Sequence, residues 1–193
     1  MTNTKESTHN IKAFSRDCSK IFVKDPLFMF FCPQKSNRSQ FIEKYFLYHL
    51  PKWEQNGELI NISSKNAIGA LVDTDNFERK FSGKNSFSLK FGKYSANILL
   101  HREVVENIVN IVVPSQMKKR VLTIFAGPEV TAEEINQIID ICKKKAKEEN
   151  FVLIYETFSK RFIPLFEESG FETGYGRQYL NTQFFQTVMT YNI

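Results

Sequence analysis

Apolar residues recur along this chain in two rhythms, and the changes of rhythm mark its elements. Ile11, Phe14, Cys18, Ile21 and Phe22 share one face of a helix, because side chains three and four positions apart project on the same side. Asp25-Pro26 ends that helix, since the residue before a proline is held away from helical geometry. The apolar patch Leu27 to Phe31 follows. Phe41, Tyr45, Phe46, Tyr48 and Leu50 then predict a second helix over 39–53, broken or bent at Pro51. Beyond Gly57, the stretches 58–63 and 67–72 around Ser64-Lys65-Asn66 predict a hairpin. Helical material is expected over 94–111. Arg120 to Phe125 is β-branched and apolar, which predicts a buried strand. It leads into a helix over 131–150 whose Ile135, Ile138, Ile139, Cys142 and Ala146 form one stripe. A strand from Phe151 to Glu156, a short helix over 159–169 before Gly170, and strands near 171–180 and 183–191 complete the pattern.

A hairpin followed by alternating strands and helices predicts an α/β (α+β) chain with a mixed central sheet flanked by helices. Residues 1–10 are polar and predict a flexible N-terminus ahead of a single domain over 11–193. In a competing reading, 10–13 form an edge strand and the helix starts near Ser15 or Asp17, either a good cap.

Composition narrows the choices. A chain of 193 residues, 42% hydrophobic, can bury a sizeable core, and 19 phenylalanines against eight glycines predict tight packing. Phe28 to Phe31 and Phe184-Phe185 are core candidates first and a homo-oligomer surface second. No apolar run is long enough to span a bilayer, and the start Met1 to Glu6 lacks the apolar core of a signal peptide, so a cytoplasmic protein without a membrane partner is expected. Cys18, Cys32, Cys142 and His9, His49, His101 are scattered; they read as ordinary positions, and no disulfide framework or metal site is expected. The formal charge is +5 and the pI about 9.0. The clusters 118–120 and 143–145 read as solvated faces, so the case for a nucleic-acid partner rests on pI alone.

The tail carries a more specific pattern. Ile154-Tyr155-Glu156-Thr157, then Arg161, Pro164, Leu165-Phe166-Glu167 and Gly170-Phe171, resemble the C-terminal signature of the GNAT acetyltransferase superfamily. Val121, Ile124 and Ala126 before Pro128-Glu129 are similar to that superfamily's central strand, and the spacing from Pro128 to Gly170-Phe171 matches without a gap. The resemblance implies an acyl-CoA-dependent transfer to an amine, on a small molecule or a peptide, with acetyl-CoA held in a V between two strands. Backbone groups of Phe125, Ala126 and Gly127, with Thr131 and Ala132 at the helix start, are the implied cofactor contacts.

Two departures qualify that implication. Members of the superfamily cradle the pyrophosphate on a glycine loop opening a helix, where free amides and the dipole favour an anion. Here Thr131 stands for the Gln/Arg, and Glu134 and Asn136 for the glycines. Thr131-Ala132-Glu133-Glu134 reads instead as a capping box that consumes those amides. Weak acetyl-CoA binding is therefore expected, unless Lys118, Lys119 or the 143–145 cluster supplies a substitute grip. The tyrosine that often protonates the departing thiolate is matched by Phe166, and the helix asparagine by Phe162. Tyr155, Tyr175 and Tyr179 are candidate replacement acids, and Glu129 and Glu156 candidate bases at strand ends, against the commoner readings of strand tyrosines as packing residues and of Glu156 as a cap for the helix near Ser159. The readings are thus an acetyltransferase with an altered grip, or a non-catalytic GNAT-like scaffold serving binding or assembly.

Overall fold

A computed structural model of the chain describes residues 3–60, 67–74 and 84–192, with side chains for all of these except 3–10 and 84–87. Helix α1 (Asn3–Ile21) carries the predicted stripe, with Cys18 and the following Phe22 fully buried. Its backbone is helical through 10–13, so those residues form no edge strand and the helix does not wait for Ser15 or Asp17. It also starts inside the polar stretch 1–10.

The apolar patch is a short helix, α2 (Pro26–Phe31). Asp25 starts it by accepting the Leu27 N–H at 2.8 Å, with Pro26 in the first turn, where its missing N–H costs nothing. Helix α3 (Lys35–Gln55) continues past Pro51 without a break. Few backbone bonds remain to be lost so near its end. Burial of Leu50 and Trp53, worth about 1.5–3 kcal/mol for each such side chain, holds the last turns down. Buried Arg38 bonds the carbonyls of Val23, Cys32 and Pro33, pinning both α2 connections.

Strands β1 (Leu59–Ile60) and β2 (Ala67–Asp73) pair antiparallel, Leu59 opposite Ala70; the expected turn at 64–66 lies outside the described residues. Helix α4 (Lys84–Phe91) and a 3-10 turn, Gly92–Tyr94, lead into α5 (Ser95–Val112). Strand β3 (Lys119–Ala126), helix α6 (Ala132–Glu149), strand β4 (Val152–Thr157), helix α7 (Ile163–Glu168) and strands β5 (Glu172–Gln178) and β6 (Phe185–Tyr191) follow. Helix α7 begins at Ile163 and not at Ser159, because Pro164 is tolerated only in a first turn.

The six strands form one mixed sheet in the order β1-β2-β3-β4-β6-β5, with β3 and β4 parallel and every other pair antiparallel. This is the α/β arrangement the pattern predicts. On one face, Ile135, Ile138, Ile139 and Cys142 of α6 pack on Leu122, Leu153 and Met189. Gly69 permits that approach, since a Cβ there would stand 3.1 Å from Ile138 Cγ2. On the other face α1, α2 and α3 build an aromatic core around Phe125, whose ring stacks on Phe28 at 5.3 Å. Val105, Ile108 and Val109 of α5 cover Val121, Ile154 and Val188 beside it.

Candidate functional site

The parallel ladder between β3 and β4 stops early. Pairing runs from Lys119 opposite Val152 to Thr123 opposite Glu156, although β3 continues to Ala126 against β2 and β4 to Thr157 against β6. Each strand keeps its outer neighbour while losing its inner one, so the sheet opens as a V. A cavity of about 700 Å³ fills the opening, bordered by Ala126, Gly127, Thr157 and the α1–α2 turn. A second cavity, of about 140 Å³, lies beneath α3 and α5. Leu27, Thr123 and Glu156 border both.

Glu156 is the polar centre of that junction. Side chains alternate along β4, so Leu153 and Tyr155 face α6 while Ile154 and Glu156 face α5. The Glu156 carboxylate is 4% exposed; Oε1 accepts from Gln186 Nε2 at 2.8 Å, and Oε2 lies 3.4 Å from His101 Nε2. The other ring nitrogen, Nδ1, meets the Tyr179 hydroxyl at 3.1 Å. Burial pushes the Tyr179 phenol above its ordinary value; in the tautomer that carries its proton on Nε2, His101 accepts from that hydroxyl at Nδ1 and points Nε2–H toward the carboxylate. Asp25 stands on the lip of the large cavity, its carboxyl pushed up to about 7 chiefly by burial, with the charge of Glu156 adding to the effect.

No family profile matches the chain, and no curated protein matches it in sequence. Solved structures do match. An agmatine N-acetyltransferase mutant in its apo form superposes with a TM-score of 0.62 at 9% identity, over 97% of this chain and 95% of that one. The Drosophila melanogaster polyamine N-acetyltransferase, which catalyses the formation of N-acetylagmatine, gives 0.61 at 9% identity over 97% and 96%. The C-terminal condensation domain of Ebony, in complex with beta-alanyl-dopamine, gives 0.51 at 11% identity over 94% and 95%. The chain has the GNAT acetyltransferase fold.

The start of α6, expected from the sequence resemblance to meet the pyrophosphate, bonds to itself through a capping box. Thr131 N–H donates to Glu134 Oε2 at 2.7 Å, and Glu134 N–H donates to Thr131 Oγ1 at 3.2 Å, a complete capping box. Thr131 and exposed Ala132 line neither cavity. The guanidinium of Arg161 is spent on the carbonyls of Pro128 and Val130, bracing the same loop. The lysines named as a substitute grip are engaged elsewhere: Lys119 with Asn110 at 2.7 Å, Lys118 with Glu149 at 3.7 Å, Lys143 with the Ser169 carbonyl at 2.7 Å. Lys20, Lys24 and Lys160 border the large cavity instead.

The remaining candidates separate cleanly. Ala126 and Gly127 line the large cavity, whereas the Phe125 ring is buried and borders the small one. Glu156 caps no helix; it sits between the cavities. Glu129 is exposed and lines neither. Tyr155 is buried on the α6 side, stacked on Phe166 at 3.5 Å and 4°. Tyr175 lies on edge strand β5 beneath Arg177, at 5.3 Å. Neither tyrosine borders either of these two cavities. His101, Gln186 and Asp25 were not singled out as site residues. The available signal is a polar residue beside apolar ones: His101 falls in the stripe of Ile98, Val105 and Ile108, and Gln186 lies two residues before Val188 on the same face of its strand.

Proposed function

We propose that this chain transfers an acyl group from a thioester to an amine, with Glu156 taking the proton that the amine must lose. The carrying observation is the position of Glu156 at the junction of a large cavity in the split sheet and a small one beneath α3 and α5. Acetyl-CoA, which the fold implies, fits the cavity in part. Its narrow pantetheine portion suits the edges of Ala126 and Gly127, whereas a diphosphate at the start of α6 would find the amides of Thr131 and Glu134 already bonded. Lys20, Lys24 and Lys160 are the cations placed to meet an anionic tail. When bound, the thioester supplies the electrophilic carbonyl carbon; the other steps belong to the protein.

Glu156 is held by Gln186 and faces His101, so its carboxylate is fixed before an amine arrives. An amine entering from the small cavity presents its N–H to that carboxylate, which takes the proton as the nitrogen attacks. Asp25, whose carboxyl burial pushes up to about 7, lines the large cavity and would return a proton to the departing sulfur, the role Phe166 cannot fill. An amine acceptor is further supported by the fold neighbours, which acetylate agmatine or polyamines or hold beta-alanyl-dopamine.

The capping box and Phe166 favour a second reading, a GNAT-like scaffold without turnover. Acetyl-CoA-dependent thiol release in the presence of a panel of amines separates the two. Release that is lost in Glu156→Gln supports transfer; no release and no rise in melting temperature at millimolar acetyl-CoA leave the scaffold. A thioester at a concentration equal to its Kd stabilises by about 0.4 kcal/mol, a shift of roughly 1–2 °C.

A further inference from the structure

Among the described residues, Leu27, Thr123 and Glu156 border both cavities, and Leu27 is apolar. Thr123 is therefore the polar side chain that shares the junction with Glu156. Sheet geometry sets the two side by side. They are Cα partners on the last rung of the β3–β4 ladder, on strands that lie about 4.8 Å apart. Partners across a parallel pair point to the same face, and side chains alternate along each strand. The neighbours of Thr123 fix that phase: Val121 and Phe125 border the small cavity with it, whereas Leu122 packs under α6.

On its other side Thr123 pairs with Ala70 of β2, which also borders the small cavity. A methyl group offers no hydrogen bond, so across the sheet the polar neighbour of the Thr123 hydroxyl is the Glu156 carboxylate. Thr123 is half-buried and paired on both sides, and its branched side chain has restricted freedom at χ1. The hydroxyl supplies two acceptor lone pairs. Glu156 is held by Gln186 at Oε1 and faces His101 at Oε2. A nitrogen that rests on Glu156 and carries a further N–H meets its second oxygen at Thr123, one strand away.

We infer that the amine nitrogen sits between the Glu156 carboxylate and the Thr123 hydroxyl, one N–H on each, and that the substrate receiving the acyl group is accordingly a primary amine. This rests on the transferase reading for the fate of the proton; the seating of the nitrogen is independent of it. With one N–H on each oxygen, the lone pair of a primary amine is left free to attack. As it bonds to the acyl carbon, the C–S bond breaks with its electron pair on sulfur; Glu156 takes one proton from nitrogen, and the other stays on Thr123 into the amide. A secondary amine has a single N–H, which goes to Glu156, and its second carbon is set against the Thr123 hydroxyl. Before deprotonation the restriction is absent, because a secondary ammonium still has two N–H groups and serves both oxygens.

The test is calorimetric binding, without thioester, of 2-phenylethylamine, agmatine and the N-methyl derivative of each to wild type, Thr123→Val and Thr123→Ser. Valine keeps the branched shape and suits a strand, and serine keeps the hydroxyl. Thr123→Val should bind whichever of these amines the wild type holds about tenfold more weakly, and Thr123→Ser within about threefold of wild type, while N-methylation costs about threefold or less. In acetyl-CoA-dependent thiol release, N-methylation should cost the wild type about tenfold or more in kcat/KM, and Thr123→Val should narrow that gap to about threefold. Unchanged amine affinity in Thr123→Val overturns the inference, as does an equal loss in Thr123→Ser, failure of the wild type to bind any of these amines, or an N-methyl amine turned over as fast as its parent. Weaker binding in Thr123→Val without thiol release from any form of the protein would uphold the seating of the nitrogen and remove the transferase reading. Thiol release that is lost in Glu156→Gln but equal in Thr123→Val and wild type would do the reverse.

Discussion

Replacing Glu156 by glutamine removes one negative charge and leaves the side-chain shape unchanged, so the structure sets separate expectations for stability and for turnover. In the wild type, two N–H groups face the carboxylate, one from Gln186 at 2.8 Å and one from His101 at 3.4 Å, while the second amide atom of Gln186, Oε1, is buried without a partner. A glutamine at 156 offers one oxygen and one NH2. The oxygen can remain toward His101, and Gln186 can turn its amide over to accept the new NH2. The unpartnered atom then becomes a nitrogen in place of an oxygen, so the number of orphaned groups does not rise. What is lost is charge assistance, about 1 kcal/mol per hydrogen bond, against which the relief of a buried charge is set. The net cost is about 0–2 kcal/mol, or at most roughly 8 °C in melting temperature for a chain of this size. Turnover, by contrast, should fall about 10²–10⁴-fold, because an amide accepts no proton. Calorimetry or thermal shift reads the first and acyl-dependent thiol release the second, with Tyr179→Phe as comparison. That variant strips only the donor to His101 Nδ1 and should lose less activity than Glu156→Gln. Turnover in Glu156→Gln within tenfold of wild type would refute the assignment of Glu156 as base.

Three further expectations follow from the same geometry. Asp25 in the fold sits near 7 against an ordinary 3.8, so its protonated form is favoured on folding, and it lowers stability progressively as pH rises from about 4 to 7. Asp25→Asn keeps the cap on Leu27 and removes a penalty of at most about 4 kcal/mol at pH 8. The variant should therefore gain melting temperature over wild type at pH 8 but not at pH 4, and parallel pH profiles would contradict the burial argument. Phe166→Tyr restores the residue type the superfamily uses, yet it places a hydroxyl in a fully buried site stacked on Tyr155. It should cost about 1–3 kcal/mol and leave thiol release no faster. Lys24→Glu combined with Lys160→Glu reverses charges at the rim of the large cavity. CoA affinity should fall about tenfold in low salt and less in high salt, while a pantetheine thioester lacking the phosphates binds as before; equal loss for both ligands would place the anion elsewhere.

The elements that were legible are those in which one local rule dominates. The stripe of α6, its threonine cap and the β-branched run of β3 each follow from spacing alone, and the capping box that the sequence implies is present atom for atom. Boundaries failed where tertiary burial overrode a local preference. Pro51 did not break α3, because Leu50 and Trp53 are anchored in the core on either side of it. Pro164 shifted α7 the other way, delaying its start to the position at which a proline is harmless. The patch Leu27 to Phe31 has no helical period to read in so few residues, and only the cap at Asp25 identifies α2.

Legibility of the site fails for a different reason, which lies in how it is assembled. Glu156 stands out in the sequence because a carboxylate at the end of an apolar strand is anomalous by itself, and a polar group in such a place requires partners. Its partners are not local: Gln186 is 30 residues away, and Tyr179 reaches His101 across 78. Each partner is a polar residue in an apolar frame, His101 among Ile98, Val105 and Ile108, and Gln186 beside Val188. Taken singly, each reads as a tolerated core exception. Taken together, they are three exceptions on three elements that the sheet order β3-β4-β6, with α5 laid over it, brings to one point. A buried carboxylate is costly unless satisfied, and it is satisfied here at the position where β3 and β4 stop pairing and two cavities meet. A core exception placed only for packing has no reason to lie at the edge of an opening. The proposed proton transfer at Glu156 would account for the cost of burying it beside that opening, whereas stability alone would be supplied more cheaply by well-packed apolar residues.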